Sequence, residues 1–161
     1  MAANRALPAP LKDSRVREFV AAARVAHLAT ADSRGAPHNV PLCFWFGGAR
    51  IYFAIDNKPK RGPATAIKRM RNIAENPRVA VVIDRYEDDW TKLAYVLIHG
   101  RARIVDDAKE YALAMRHLRA KYPQYRAMRL VRAKNPIVRI EIERVHAWGA
   151  RFQTFPRGAK R

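Results

Sequence analysis

Apolar positions along the chain fall into two rhythms, one of about 3.6 residues and one of two. Val16, Phe19, Val20 and Ala23 keep the helical rhythm behind Ser14, predicting a short amphipathic helix from Ser14 to about Arg24 with Ser14 as N-cap. Val25 to Thr30 reads as a strand ending in Asp32-Ser33-Arg34-Gly35, a run of turn-forming residues. Val40, Leu42, Phe44 and Phe46 alternate in a partner strand over Pro37 to Phe46. Pro37 and Pro41 cannot donate ladder bonds, which puts that strand at an edge or leaves part of it irregular. Gly47-Gly48 then turns the chain into a strand from Arg50 to Ile55.

The second half repeats the alternation. Ile67, Met70 and Ile73 form a helical stripe closed by Asn76-Pro77, and Val79 to Ile83 is a near-continuous apolar strand expected to be central. Leu93 to Val105 is a long strand whose Gly100 predicts a bulge or bend. Asp106 or Asp107 caps a helix with the stripe Tyr111, Ala112, Met115, Leu118 and Tyr122, followed by a short helical piece over Gln124 to Lys134. Ile137 to Trp148 returns to strand, with Val138, Ile140 and Ile142 facing in and Arg139, Glu141 and Glu143 facing out. The order α-β-β-β-α-β-β-α-β, joined mostly by hairpins, predicts a mainly β fold with flanking helices: a small antiparallel barrel. No repeat or domain boundary interrupts it. Residues 1–161 read as one domain, with 1–13 and 150–161 as loose tails.

Composition sharpens this picture. No apolar run approaches the length of a membrane span, and Met1 to Leu11 lacks a continuous apolar segment, so a cytoplasmic location is expected. A single cysteine, Cys43, excludes an internal disulfide and a cysteine-based metal site. Thirty-two Lys and Arg against 14 Asp and Glu leave a net charge of +18. Such a surface attracts anions, whether nucleic acid, acidic membrane or acidic small molecule. The basic residues are spread through helices, loops and tail. A dedicated DNA reader would gather them on one element.

One stretch concentrates the chemistry. The strand Ile51 to Ile55 delivers Asp56-Asn57-Lys58-Pro59-Lys60-Arg61-Gly62-Pro63, followed by the start of a helix carrying Lys68 and Arg69. Cations at the end of a strand, beside exposed helix amides, make a trap for phosphate. Residue types alone leave this open against a solvated basic loop. Neither a Walker loop nor a glycine-rich dinucleotide fingerprint is present. His27, His38, His99, His117 and His146 show no metal-binding spacing. His27 reads as a packed residue, and His38 could line the mouth of a site. Asp88 and Asp89 read as a loop that salt-bridges the surplus arginines. Trp90 and Trp148 are large aromatics placed to pack at an interface or stack on a planar ligand.

These segments carry a resemblance. Gly35-Ala36-Pro37-His38-Asn39-Val40-Pro41, Gly48 to Asp56, Lys58-Pro59-Lys60-Arg61, Arg71 to Ala80, Asp84 to Trp90 and His99-Gly100-Arg101-Ala102 together resemble the pyridoxamine-phosphate-oxidase-like split-barrel flavoproteins. The likeness runs from about Arg17 to Trp148. Lys-Pro-Lys-Arg and Asp-Asp-Trp are most similar to the branch associated with the deazaflavin coenzyme F-420. The resemblance implies a six-stranded antiparallel split β-barrel, a homodimer with coenzyme at the subunit interface, and a flavin-type oxidoreductase acting on a small organic substrate. It implies F-420, or alternatively FMN, with Lys58, Lys60 and Arg61 on the phosphate and His38, Asn39, Val40 and Pro41 beside the ring. Ala54, Asp56, Arg69 and Asn72 add contacts, and Trp90, Trp148 and Arg151 close the site from the partner subunit. No catalytic residue is implied. The Gln-x-Arg pattern of true pyridoxamine phosphate oxidases is replaced by Tyr95-Val96-Leu97, which argues against that reaction. The competing reading is a non-catalytic module that binds nucleic acid, another polyanion or a stored coenzyme.

Overall fold

The computed structural model describes residues 6–56 and 66–152. Seven strands, β1 (Ala26–Ala31), β2 (Pro37–Leu42), β3 (Trp45–Phe46), β4 (Arg50–Ala54), β5 (Arg78–Arg85), β6 (Ala94–Ile104) and β7 (Ile137–Gly149), form one antiparallel sheet. Their order is β2-β1-β5-β6-β7-β4-β3. Four helices flank it: α1 (Ser14–Ala22), α2 (Lys68–Glu75), α3 (Ala108–Lys121) and α4 (Gln124–Ala127). None of these helices is long and apolar enough to cross a membrane.

The count of seven rather than six comes from the predicted strand Pro37–Phe46, which breaks at Cys43-Phe44. Its first half pairs with β1 and its second half with β4. β2 and β3 are the two ends of the sheet order. The three peptide steps from Leu42 to Trp45 reach at most about 11 Å, so the two edges must lie side by side and the sheet closes into a split barrel. Phe44 marks the corner and is fully buried. The Tyr122 hydroxyl accepts its N–H at 3.0 Å, with the Phe44 and Arg24 carbonyls both within reach of the hydroxyl proton.

Alternation sorts side chains into two cores. The barrel interior holds Leu28, Phe44, Ile51, Phe53, Val81, Ile83, Val96, Ile98 and Ile140, closed by Phe19 and Val20 of α1 and Met70 and Ile73 of α2. The second core lies outside the barrel wall, where Tyr52, Ala54 and Ile137 meet Tyr111, Met115, Leu118 and Tyr125 of α3 and α4. Gly100 sits at the expected irregularity, where the β6–β7 register shifts between His99 and Gly100. A Cβ there would run into the Glu141 carbonyl oxygen, so only glycine lets β7 pass this close.

Several local expectations change. Asp13, not Ser14, caps α1: its carboxylate accepts the Arg15 amide at 2.9 Å and is clamped by the Arg15 guanidinium at 2.6 Å. In α3 the buried small residue is Ala114, whereas Ala112 is exposed. Only Gln124–Ala127 of the second helical piece is helical. His27 is exposed on the outer face instead of packed. The stretch before α1 is not loose where described: it forms a 3-10 turn at Ala9–Lys12 with Leu11 fully buried in the barrel core. Arg139, predicted to face water, is buried at 6% exposure because α3 covers that part of the wall. Glu110 meets it there, at 2.6 and 2.7 Å through the two carboxylate oxygens.

Candidate functional site

The end of β4 and the start of α2 are positioned by polar contacts from neighbouring segments. The Ile55 amide donates to the Pro136 carbonyl at 3.0 Å, and the buried Asn135 side chain donates to the Ile55 carbonyl at 3.0 Å. The strand end that launches the basic stretch is therefore tied to the start of β7. Lys58, Lys60 and Arg61 themselves lie outside the described residues.

The α2 helix lies along the β1–β2 turn. Lys68 pairs with Asp32 at 3.1 Å, and the Ser33 amide donates to Glu75 at 3.0 Å. The Asp32 carboxyl is held below the usual carboxylate range, first by the Ala36 amide and then by Lys68. Gly35, at φ 85°, makes this turn possible and donates its amide to the Asp32 carbonyl. Lys68 is thus committed to the fold. Arg69 is different. Its Nε is buried without a hydrogen-bond partner, and burial lowers its pKa despite the nearby Asp56 charge. At the start of α2, the N-cap position Ile67 supplies no side-chain acceptor, so the first amides of the helix keep their partial positive charge.

Asn72 is fully buried and donates to Thr30 Oγ1 at 3.0 Å; Thr30 in turn donates to the His38 carbonyl at 3.4 Å. This chain links α2 to β2, whose His38 and Val40 are half-buried while Asn39 and Pro41 are exposed. Asn72 therefore acts on β2 from inside the barrel, and its Oδ1 has no hydrogen-bond partner. Ala54 is packed in the second core, which leaves only its backbone to face a ligand. Asp56, half-buried, lies close enough to Arg69 for their charges to interact.

Trp90 and Trp148 stand elsewhere. Trp90 is 73% exposed in the loop after β5, and Trp148 stacks on Tyr95 at 5.7 Å near the start of β6. Both occupy the end of the sheet opposite the β4–α2 junction, separated from it by the length of β5, roughly 20 Å. Arg151 lies over the Phe19 ring at 5.0 Å at that same far end. One chain does not bring these residues together with Arg69. The acidic loop follows the expectation only in part: Glu87 pairs with Arg85 and Asp89 with Lys92 at 3.2 Å, while Asp88 makes no ion pair among the described residues. Among the described residues no group of His, Cys, Asp and Glu could hold a metal ion.

Two features escaped the sequence reading. Trp45 is sandwiched between His117, 4.1 Å away and nearly parallel, and Tyr52 at 5.0 Å, which glues α3 to β3 and β4. Lys121, at the end of α3, buries its amine over the Phe44 ring at 4.0 Å with no hydrogen-bond partner. Desolvation, helped by Arg24, lowers its pKa to about 8. Neither alternation nor helical spacing marks such positions.

Known proteins agree with this architecture. A family model described as pyridoxamine 5'-phosphate oxidase matches residues 13–149. The chain belongs to that family. Its fold is shared by the conserved hypothetical protein Rv2991 from Mycobacterium tuberculosis, at 20% identity with 97% of each chain covered and a TM-score of 0.70. It is likewise similar to HutZ, the heme storage protein from Vibrio cholerae, at 15% identity, covering 86% of this chain and 97% of that one with a TM-score of 0.69. A FAD-binding protein from Mesorhizobium loti matches at 25% identity, 81% and 89% coverage and a TM-score of 0.62. No curated protein matches the chain. The pyridoxamine 5'-phosphate oxidase family thus accounts for the split-barrel fold.

Proposed function

We propose that this member of the pyridoxamine 5'-phosphate oxidase family is a coenzyme-dependent oxidoreductase. It acts as a homodimer, holds F-420 (or, as the alternative, FMN) and passes a hydride between the coenzyme and a small organic substrate. The observation that carries the reading is the β4–α2 junction. A strand end tied in place leads into Lys58, Lys60 and Arg61, and the helix that follows presents uncapped amides and the unpartnered Nε of Arg69. An arginine left with an unpaired buried donor fits an absent anion, and a coenzyme phosphate is the anion this family's chemistry suggests. His38, Asn39, Val40 and Pro41 would then lie along the ring, with Asn72 setting their strand through Thr30. The coenzyme supplies the hydride chemistry, and the chain's residues bind and orient it. The +18 charge favours F-420, whose phosphate and glutamate tail are both anionic.

The dimer is supported by an uncovered wall. On the outer face of β1, β5 and β6, Ala29, Ala80, Val82 and Leu97 are only half-buried, and among the described residues no helix covers them. A second reading, heme binding, takes support from His99 and His146 on this same face, with the heme storage protein among the similar folds. Titration of the purified protein with F-420, FMN and hemin, followed by absorbance, separates the readings. F-420 or FMN should bind, and Lys60→Glu should weaken that binding strongly without lowering the melting temperature. Unchanged affinity in Lys60→Glu sinks the phosphate assignment. Binding of hemin alone, or of salt-sensitive DNA alone, replaces the oxidoreductase reading.

A further inference from the structure

The charge of +18 is not laid evenly over the fold. From Tyr111 to Pro136 the chain carries seven lysines and arginines and no aspartate or glutamate. That stretch is most of α3, all of α4 and the loop leading back to β7. Lys121 is drawn inward over the Phe44 ring. The other six, Arg116, Arg119, Arg126, Arg129, Arg132 and Lys134, are exposed or half-buried. Among the described residues Arg116, Arg119, Arg126, Arg132 and Lys134 form no ion pair. Glu110, the carboxylate just ahead of the stretch, is already spent beneath the helix on Arg139.

The loop runs back alongside α3 and is anchored at both ends of it. Near the C-terminal end Arg126 Nε donates to the Arg119 carbonyl at 3.1 Å, and ahead of the N-terminal end Arg132 donates to the Asp106 carbonyl. From residue 106 to residue 119 the helix advances roughly 20 Å. Between helix and loop opens a cleft of about 380 Å³ lined by Tyr111, Met115, Arg116, Arg119 and Leu130. Arg119, one of these, has its Nε buried without a hydrogen-bond partner. A spare guanidinium donor in an acid-free cleft suits an anion. Cations spread along roughly 20 Å of helix suit a chain of anions better than a single one.

We propose that this α3–α4 face binds the phosphodiester backbone of a nucleic-acid duplex, independently of the coenzyme site. Five of its six cations are arginines, whose planar fork holds phosphate oxygens in pairs. Tyr111, Tyr122 and Tyr125 are all buried, so this stretch offers no exposed ring on which unpaired bases could stack. That favours a duplex over a single strand. The same lack of an exposed aromatic argues against a lipid surface, since Leu113 and Val131 are the stretch's only exposed large apolar side chains. A cleft also admits a projecting phosphate strand more readily than a flat layer of headgroups. Backbone contacts carry no base information, so binding is independent of sequence.

The test is fluorescence anisotropy of a labelled DNA duplex titrated with the full chain. With about four phosphates contacted, affinity should fall on the order of a hundredfold between about 50 and 200 mM salt. Arg116→Glu with Arg132→Glu should weaken binding about tenfold or more. Arg34→Glu with Arg103→Glu changes the net charge equally at exposed positions elsewhere and should have a much smaller effect. Equal losses in the two pairs would mean that the charge acts diffusely, and the face is overturned. Arg116→Gln with Lys134→Gln touches only exposed side chains and keeps the test open should the first pair fold poorly. It should reduce the logarithmic salt slope by about 2, and an unchanged slope overturns the proposal. Tighter binding to single strands or to phosphatidylserine vesicles than to the duplex overturns the partner. Displacement of the duplex by F-420 or FMN overturns its independence and assigns the face to the coenzyme. Absence of any duplex binding overturns the proposal and leaves the coenzyme reading intact.

Discussion

Replacing Arg69 by methionine tests the coenzyme site with two readouts of opposite sign. Methionine keeps the apolar stem and removes only the guanidinium, so packing against α2's neighbours changes little. In the protein without coenzyme, Nε is a buried donor with no partner, and burial already holds the guanidinium's pKa below its usual value. A buried unpaired donor costs about 1–3 kcal/mol; the Asp56 charge offsets part of that. The variant should therefore be as stable as the parent or more stable by up to about 1 kcal/mol, a rise in melting temperature of about 2–4 °C. With coenzyme the sign reverses. A charge-assisted hydrogen bond to phosphate contributes about 1.5–3 kcal/mol, so the coenzyme dissociation constant should rise about tenfold to a hundredfold. Urea unfolding of the coenzyme-free protein gives the first number and a fluorescence titration the second. Loss of more than about 1 kcal/mol of stability with unchanged affinity would show that Arg69 is a structural partner of Asp56, and the anion argument would fail.

Other consequences follow from the same contacts. Glu110→Gln removes the charged partner of an Arg139 side chain that is only 7% exposed, with Tyr52 also donating to Glu110 at 2.8 Å. Breaking a buried pair costs about 3–5 kcal/mol, and Glu141, 3.0 Å from Arg139 Nε, should reduce this to about 2–3 kcal/mol in urea unfolding. A smaller loss than about 1 kcal/mol would mean Glu141 takes over completely. Lys121 titrates at about 8 in the folded chain against 10.5 when free. The unfolded chain then binds more protons between these values, so stability gained relative to Lys121→Met should grow as pH rises from about 8 to 10. A difference between the two proteins that stays flat over this window would show that the amine is not desolvated.

The fold was legible because its main signals are local. Alternation in β2, β5 and β7, the Asp32 to Gly35 turn and the Gly100 bulge each depend on a few adjacent residues, and each is where the pattern put it. What escaped depends on residues far apart. Arg139 looks outward by alternation, but α3 folds back over β7 and brings Glu110 onto it across 29 positions. Asn72, expected to add a coenzyme contact, is buried and donates to Thr30, 42 positions away on the other side of the basic loop. The break at Cys43-Phe44 is silent in the sequence because both halves alternate correctly, and only the change of partner strand separates them. The candidate site was legible as a cluster of cations after a strand. Which cation is already spent on the fold, Lys68 on Asp32, and which is left over, Arg69, needed the three-dimensional arrangement.

The position of α3 links these observations. Because its apolar stripe is taken up by Tyr52, Ala54 and Ile137, α3 covers the β4–β7 side of the barrel and leaves the β1–β5–β6 side bare. The covered side holds its charges in closed pairs, Arg50 with Glu141 and Arg139 with Glu110. On the bare side Arg78, Arg101 and Arg144 have no such partners among the described residues, and the nearest surplus of carboxylates is at the opposite end of the face. A helix placed there would have hidden both the apolar strip and the charges. Among the described residues no helix lies there, and the wall is left uncovered. The bare face is thus a consequence of where α3 packs, so a variant that loosens α3, such as Glu110→Gln, should lower stability first and leave the affinity of the proposed dimer almost unchanged.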